Sequence, residues 1–165
     1  MSMKWRIMGA ILAVSIFSAP VFARELTGIF GDWGAFDDRD DSGRCFAMAK
    51  PAKTNAPGDN GAFFSVGFWP KDRVYHQIQV RFSRERSTNA GVILSAGGRS
   101  FRLTAGRLNG WAKDRKMDIA IISAMRSANS ISVEAVGRDG RPIVDVYRVK
   151  GSASAIDSAL LACRD

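Results

Sequence analysis

The chain has one histidine and two cysteines among 165 residues. That scarcity excludes much chemistry. A serine triad or a zinc site would have to use His76, and zinc would need further nitrogen or sulfur donors. Glycine-rich pieces such as Gly97-Gly98 lack the strand–loop–helix setting and the Gly-Lys-Ser/Thr ending of a phosphate loop, so they read as turns. The aspartates of 37–41 lack the sixth-position glycine and twelfth-position glutamate of a calcium hand, and read as a solvated turn. Past the first two dozen residues no stretch approaches the roughly 20 apolar residues that cross a bilayer. No cofactor, metal or catalytic set is therefore expected.

The first residues are ordered like a secretory signal peptide. Lys4 and Arg6 precede an apolar run, Ile7 to Phe17, and the small residues of Ser18 to Ala23 follow. Val21 and Ala23 fit the −3 and −1 positions, so cleavage is expected after Ala23. The alternative is an uncleaved anchor, which Pro20 argues against. Residues 1–23 are then the signal and residues 24–165 one domain of about 140 residues, long enough to bury a core. The expected location is periplasmic or secreted, as a soluble protein. The net charge of +8 falls to about +6 without Lys4 and Arg6. It suits an envelope or host-surface protein, or an anionic glycan or lipid. Scattered as it is, it also serves solubility, and it specifies no nucleic acid.

In an exported chain two cysteines read as one disulfide, Cys45–Cys163; two reduced thiols are the alternative. Cys45 shares a strand face with Ala47 and Ala49. Cys163 shares a helix face with Ile156, Ala159 and Leu160, at i, i+3, i+4 and i+7. Ser154 and Asp157 have the form of a capping box.

Between them the period is mostly two. Arg24–Thr27 reads as loose, and Gly28–Phe36 as one short aromatic strand. Ala62–Trp69 is apolar on both faces and reads as a central strand. Ile78, Val80 and Phe82 point inward from the next strand. Gly97-Gly98 closes a two-residue hairpin. Over 114–128 the period becomes helical, with Asp114 as N-cap and the end near Asn129. Strands resume with Ile131, Val133 and Ala135. The expected class is mainly β: an antiparallel β-sandwich or open barrel with one inserted helix and a C-terminal helix.

Arg81, Arg84, Arg86, Arg99 and Arg102 are the best candidates for a basic patch on a sheet face, with a solvated face as the plain alternative. Trp33, Trp69 and Trp111 read as packing, or as a stacking platform for sugars or bases. A hydrolase acting on glycan or cell wall would draw on Asp32, Glu134 or His76. A structural or adhesive envelope module needs none of these.

Several motifs occur in an order that resembles the invasion-associated locus B family of exported bacterial proteins. They are Phe30-Gly31-Asp32-Trp33, Gly43 to Met48, Phe64 to Lys71, Trp111 before the helix with Ile122 to Met125, and Ser152 to Cys163. The resemblance implies a small periplasmic or surface-associated β-rich domain without assigned enzymatic activity. Many members carry a further cysteine after the Asp-Trp pair; residues 34–38 have none, which leaves Cys45–Cys163.

Overall fold

The computed structural model describes residues 25–56 and 61–164. The signal segment expected at 1–23 lies outside the described residues, as do 57–60. The strands are β1 (Glu25–Phe30), β2 (Trp33–Asp38), β3 (Arg44–Ala49), β4 (Lys53–Thr54), β5 (Phe63–Trp69), β6 (Val74–Arg81), β7 (Val92–Ala96), β8 (Arg99–Ala105), β9 (Asn109–Trp111), β10 (Ser130–Val136) and β11 (Pro142–Arg148). A single helical turn, α1 (Arg39–Ser42), links β2 to β3. The two full helices are α2 (Arg115–Met125) and α3 (Ser152–Ala162).

All eleven strands join one sheet in the order β1-β2-β3-β5-β6-β9-β8-β7-β10-β11-β4. Every strand pair in it is antiparallel. The sheet folds over so that β11 faces β2 and β5. Phe64 of β5 lies 5.7 Å from the Tyr147 ring of β11, and Trp33 Nε1 of β2 donates to the Arg148 carbonyl at 2.8 Å. The result is an open sandwich. The end strands β1 and β4 do not pair, so no barrel closes.

The inward residues form one core. Trp33, Phe64, Phe68, Phe82 and Tyr147 are its largest fully buried rings. Burying a side chain of this size stabilises the fold by about 1.5–3 kcal/mol each. Asp145 is also fully buried. Its carboxylate accepts from the Ser83 amide at 3.0 Å and the Thr54 hydroxyl at 2.6 Å, tying β11 to the end of β6 and to β4. The Tyr147 hydroxyl beside it is buried and has no hydrogen-bond partner among the described residues. Burial, and then the neighbouring Asp145, push that phenol far above its usual range.

The expected inner faces are present. Cys45, Ala47 and Ala49 on β3, and Ile78, Val80 and Phe82 along β6, are buried. Cys45 and Cys163 form the disulfide, closing a separation of 118 residues. Asp114 caps α2, its Oδ1 accepting from the Met117 amide at 2.8 Å. Gly97 and Gly98, both at positive φ, turn β7 into β8.

Local readings fail in four places. Asp37 and Asp38 belong to β2 rather than to a solvated turn, and Asp38 is buried and pairs with Arg44 at 3.3 Å. Residues 25–38 form a hairpin, not one strand after a loose start, because Gly31 takes a φ of 61° and reverses the chain at Gly31-Asp32. Helix α2 ends at Met125, short of Asn129. The expected capping box does not form, because α3 starts earlier, on Gly151. Gly151 has a φ of 91°, and a Cβ there would stand 1.9 Å from the Phe30 carbonyl oxygen. Contact with the end of β1 therefore sets where the last helix begins.

Candidate functional site

Helix α2 rests on β6, β7 and β8, whereas α3 rests on β1, β2 and β3. A groove remains between them. At one end a cavity of about 420 Å³ joins Ile122, Met125 and Arg126 of α2 to the first turns of α3, through Ile156 and Asp157. At the other, a cavity of about 480 Å³ joins Arg115 of α2 to Leu160, Cys163 and Arg164, over Tyr75 and His76. The start of one helix thus faces the end of the other, so they run antiparallel. Both volumes fall in the range of ligand clefts, about 300–1,000 Å³.

Helical spacing explains the lining. Arg115, Ile119, Ile122 and Arg126 recur at i, i+4, i+7 and i+11, a stripe along α2 with guanidiniums at its ends and aliphatic residues between. On α3, Asp157, Leu160, Leu161 and Arg164 repeat the design. Ile122, Ile156 and Leu160 give the cavities their aliphatic lining, and Ile119 and Leu161, 52% and 59% exposed, lie outside it. Among the described residues three guanidiniums and one carboxylate border the groove, an imbalance that favours an anionic occupant.

His76 lies in this groove on an irregular strand. Gly67 of β5 pairs with Gln77, but Trp69 pairs with Val74, so Tyr75 and His76 bulge opposite Phe68. His76 takes a φ of 64°, unusual for a residue with a Cβ, and its ring meets the Phe68 ring edge-on at 5.0 Å. Strain of this kind concentrates at binding and catalytic sites. Burial holds the imidazole below its ordinary pKa. The guanidiniums of Arg115 and Arg126 act the same way, and the Asp157 carboxylate opposes them. The balance favours the neutral form of His76. Two residues on, the Ile78 amide donates to the buried Asp118 of α2 at 2.8 Å, fixing the helix beside the bulge.

The five arginines picked as one basic patch do not come together. Arg86 is only 5% exposed. Its guanidinium donates to the Ala90, Ala105 and Gly106 carbonyls, clasping the β6–β7 loop to the β8–β9 turn. Arg84 donates to the Pro142 carbonyl and pairs with Asp139 at 3.5 Å. Arg99 lies over the Phe101 ring at the β7–β8 turn and reaches the Ala120 carbonyl of α2 at 3.4 Å. Only Arg81 and Arg102 share the sheet's outer face. A single patch fails because two of the five are spent on loop carbonyls and one turns to α2.

The hydrolase residues are also dispersed. Asp32 pairs with Arg148 at 3.6 Å on the β1–β2 turn, and Glu134 accepts from the Ser132 hydroxyl on β10. His76 alone lines the groove. Among the described residues no three His, Cys, Asp or Glu side chains could hold a metal. Trp33 is in the core, whereas Trp69 and Trp111 are half-buried on the outer face. Sequence reasoning missed Arg115 and Arg126, although their separation of eleven residues puts them on one helical stripe.

No family model, curated protein or solved structure matches the chain.

Proposed function

We propose that this protein is a non-enzymatic binding protein of the cell envelope, of the invasion-associated locus B type, and that the α2–α3 groove holds an acidic, partly apolar segment of a partner protein. One observation carries the reading: among the described residues, Arg115, Arg126 and Arg164 border a partly apolar groove with one acid, Asp157. The apolar floor supplies burial, and the guanidiniums supply charge complementarity and bidentate hydrogen bonds to carboxylates. Helix α2 is 11 residues long, so the groove runs about 16 Å, enough for three turns of a docked helix.

The disulfide supports an oxidising compartment. The signal-like first residues and the ordered family motifs support export to the periplasm or cell surface. The hydrolase reading has less support, since Asp32 and Glu134 are engaged away from the groove.

The test uses a labelled peptide of alternating Glu and Leu blocks and a control with Lys in place of Glu. Binding is followed by fluorescence anisotropy at low and high salt. The acidic peptide should bind, weaken with salt, and be lost in the Arg115→Glu/Arg126→Glu variant. Equal binding of both peptides, or binding that ignores salt and the double variant, refutes the reading.

A further inference from the structure

The outward face of β2, β3, β5, β6 and β9 is a second surface, on the opposite side of the sheet from the groove. Alternation sends Phe36, Phe46, Phe63, Trp69 and Trp111 to this side. Glycines let two of the rings lie flat. A Cβ on Gly67 would stand 2.4 Å from Trp69 Cζ3, and one on Gly34 would stand 2.8 Å from the Phe36 ring. Phe36 stacks on Phe46 with centroids 5.1 Å apart, and the Arg44 guanidinium covers Phe46 at 4.9 Å. A cleft of about 80 Å³ opens between Met48, Phe63, Trp69 and Gln79. That is too small to enclose a ligand, so the face can only act as a platform.

Register completes the picture. Met48, Ser65, Gln79, Trp111 and Thr104 form one row across β3, β5, β6, β9 and β8. Arg81 is two residues beyond Gln79 on β6, and Arg102 two residues before Thr104 on β8. These strands run the same way, so Arg81 and Arg102 sit on opposite sides of Trp111 in register, with the Arg102 guanidinium turned over Gly91 beside β7. Among the described residues of the five strands one acid points outward, Asp38, and it pairs with Arg44 at 3.3 Å. No acid pairs with Arg81 among the described residues. The face is therefore aromatic and cationic, with amide and hydroxyl groups between the rings.

We infer that this face binds an acidic polysaccharide. A pyranose ring has an apolar C–H side that lies flat on an indole, and the Trp69 indole lies flat across Gly67. Its hydroxyls suit Gln79 and Thr104. Uronate carboxylates complement Arg81, which a neutral glycan would leave unanswered. Aromatic and basic sheet faces also take single-stranded nucleic acid. The disulfide argues for an oxidising compartment, where glycans are the common polyanions. The inference is independent of the groove.

The experiment titrates the full chain with a hexamer of galacturonic acid, with the matching neutral galactose hexamer, and with a thymidine oligonucleotide of equal charge. It reads tryptophan fluorescence and calorimetric heat. The acidic hexamer should bind best. Arg81→Gln should weaken it about tenfold, the loss of one charge-assisted hydrogen bond. Trp69→Leu should weaken it and reduce the fluorescence change. Arg115→Glu/Arg126→Glu should leave it unaltered, which separates this site from the groove. Tighter oligonucleotide binding, equal affinity for the neutral hexamer, no binding, or insensitivity to Arg81→Gln in a protein with native circular dichroism would each overturn the inference.

Discussion

Asp118 accepts the Ile78 amide at 2.8 Å and is a buried polar link between α2 and the sheet. It sits among buried Ile121, Ala124 and Met125 on the inner side of the helix. Burial raises its carboxyl above the usual range, the Ile78 bond opposes that, and Asp114 adds to it. The bond fixes α2 beside the His76 bulge and so shapes one wall of the groove.

The two contributions of Asp118 separate by substitution. Asp118→Asn keeps an acceptor for the Ile78 amide and removes the buried charge, so stability in urea should hold or rise. Asp118→Leu strands that amide and should cost about 1–3 kcal/mol. If both variants lose the same amount, the carboxylate's charge is what matters and the hydrogen-bond account is wrong.

His76 makes stability depend on pH. Its folded pKa lies below the ordinary value of 6.5. Below about pH 6.5 the unfolded chain therefore binds a proton that the folded chain resists, and stability falls as the pH drops. Above that range the contribution is complete. His76→Asn tolerates the left-handed backbone and does not titrate. Urea melts at pH 8 and pH 5 should show wild type losing more stability on acidification than this variant. A pH-independent difference between the two would rule out the account.

Removing the clasp is the largest single perturbation expected. Cys45 and Cys163 are 118 residues apart, and closing a loop of that size restricts the unfolded chain by about 4–5 kcal/mol. The Cys45→Ala/Cys163→Ala protein should lose about that much in urea. The intact mass of wild type should rise by two hydrogens only after reduction. A wild-type protein isolated with two thiols would defeat the assignment.

Much of the fold was legible because its signals are local. Alternation alone puts Cys45, Ala47 and Ala49 on one face and Ile78, Val80 and Phe82 on another. The Asp114 cap and the Gly97-Gly98 turn each depend on a few neighbouring residues. The failures depend on partners distant in sequence. Gly151 starts α3 because of the Phe30 carbonyl, and Arg86 is buried because its acceptors lie on another turn. The β1–β2 hairpin was hidden because aromatic residues continue on both sides of its turn. The groove was half legible: the helical period of α2 was read for its buried side, and the stripe carrying Arg115 and Arg126 runs along the other.

Tyr147 offers a simple stabilising change. Its hydroxyl is buried without a partner among the described residues, and desolvating it costs free energy that none of their bonds returns. Tyr147→Phe keeps the ring against Phe64, 5.7 Å away. The variant should match wild type or exceed it by about 1 kcal/mol in urea. A loss larger than that would show that the hydroxyl is satisfied.

Arg86 and Arg81 were alike in sequence, and the structure makes them opposites. Arg86 is 5% exposed and holds the carbonyls of Ala90, Ala105 and Gly106. Arg86→Ala leaves these acceptors without their donor and removes a packed stem, so it should cost on the order of 3 kcal/mol. Arg81 is half-buried on the outer face, where truncation should change stability by no more than about 0.5 kcal/mol. Parallel urea melts of Arg86→Ala and Arg81→Ala measure both. Similar losses would mean that Arg86 is no clasp, and its place among the surface cations would have to be restored.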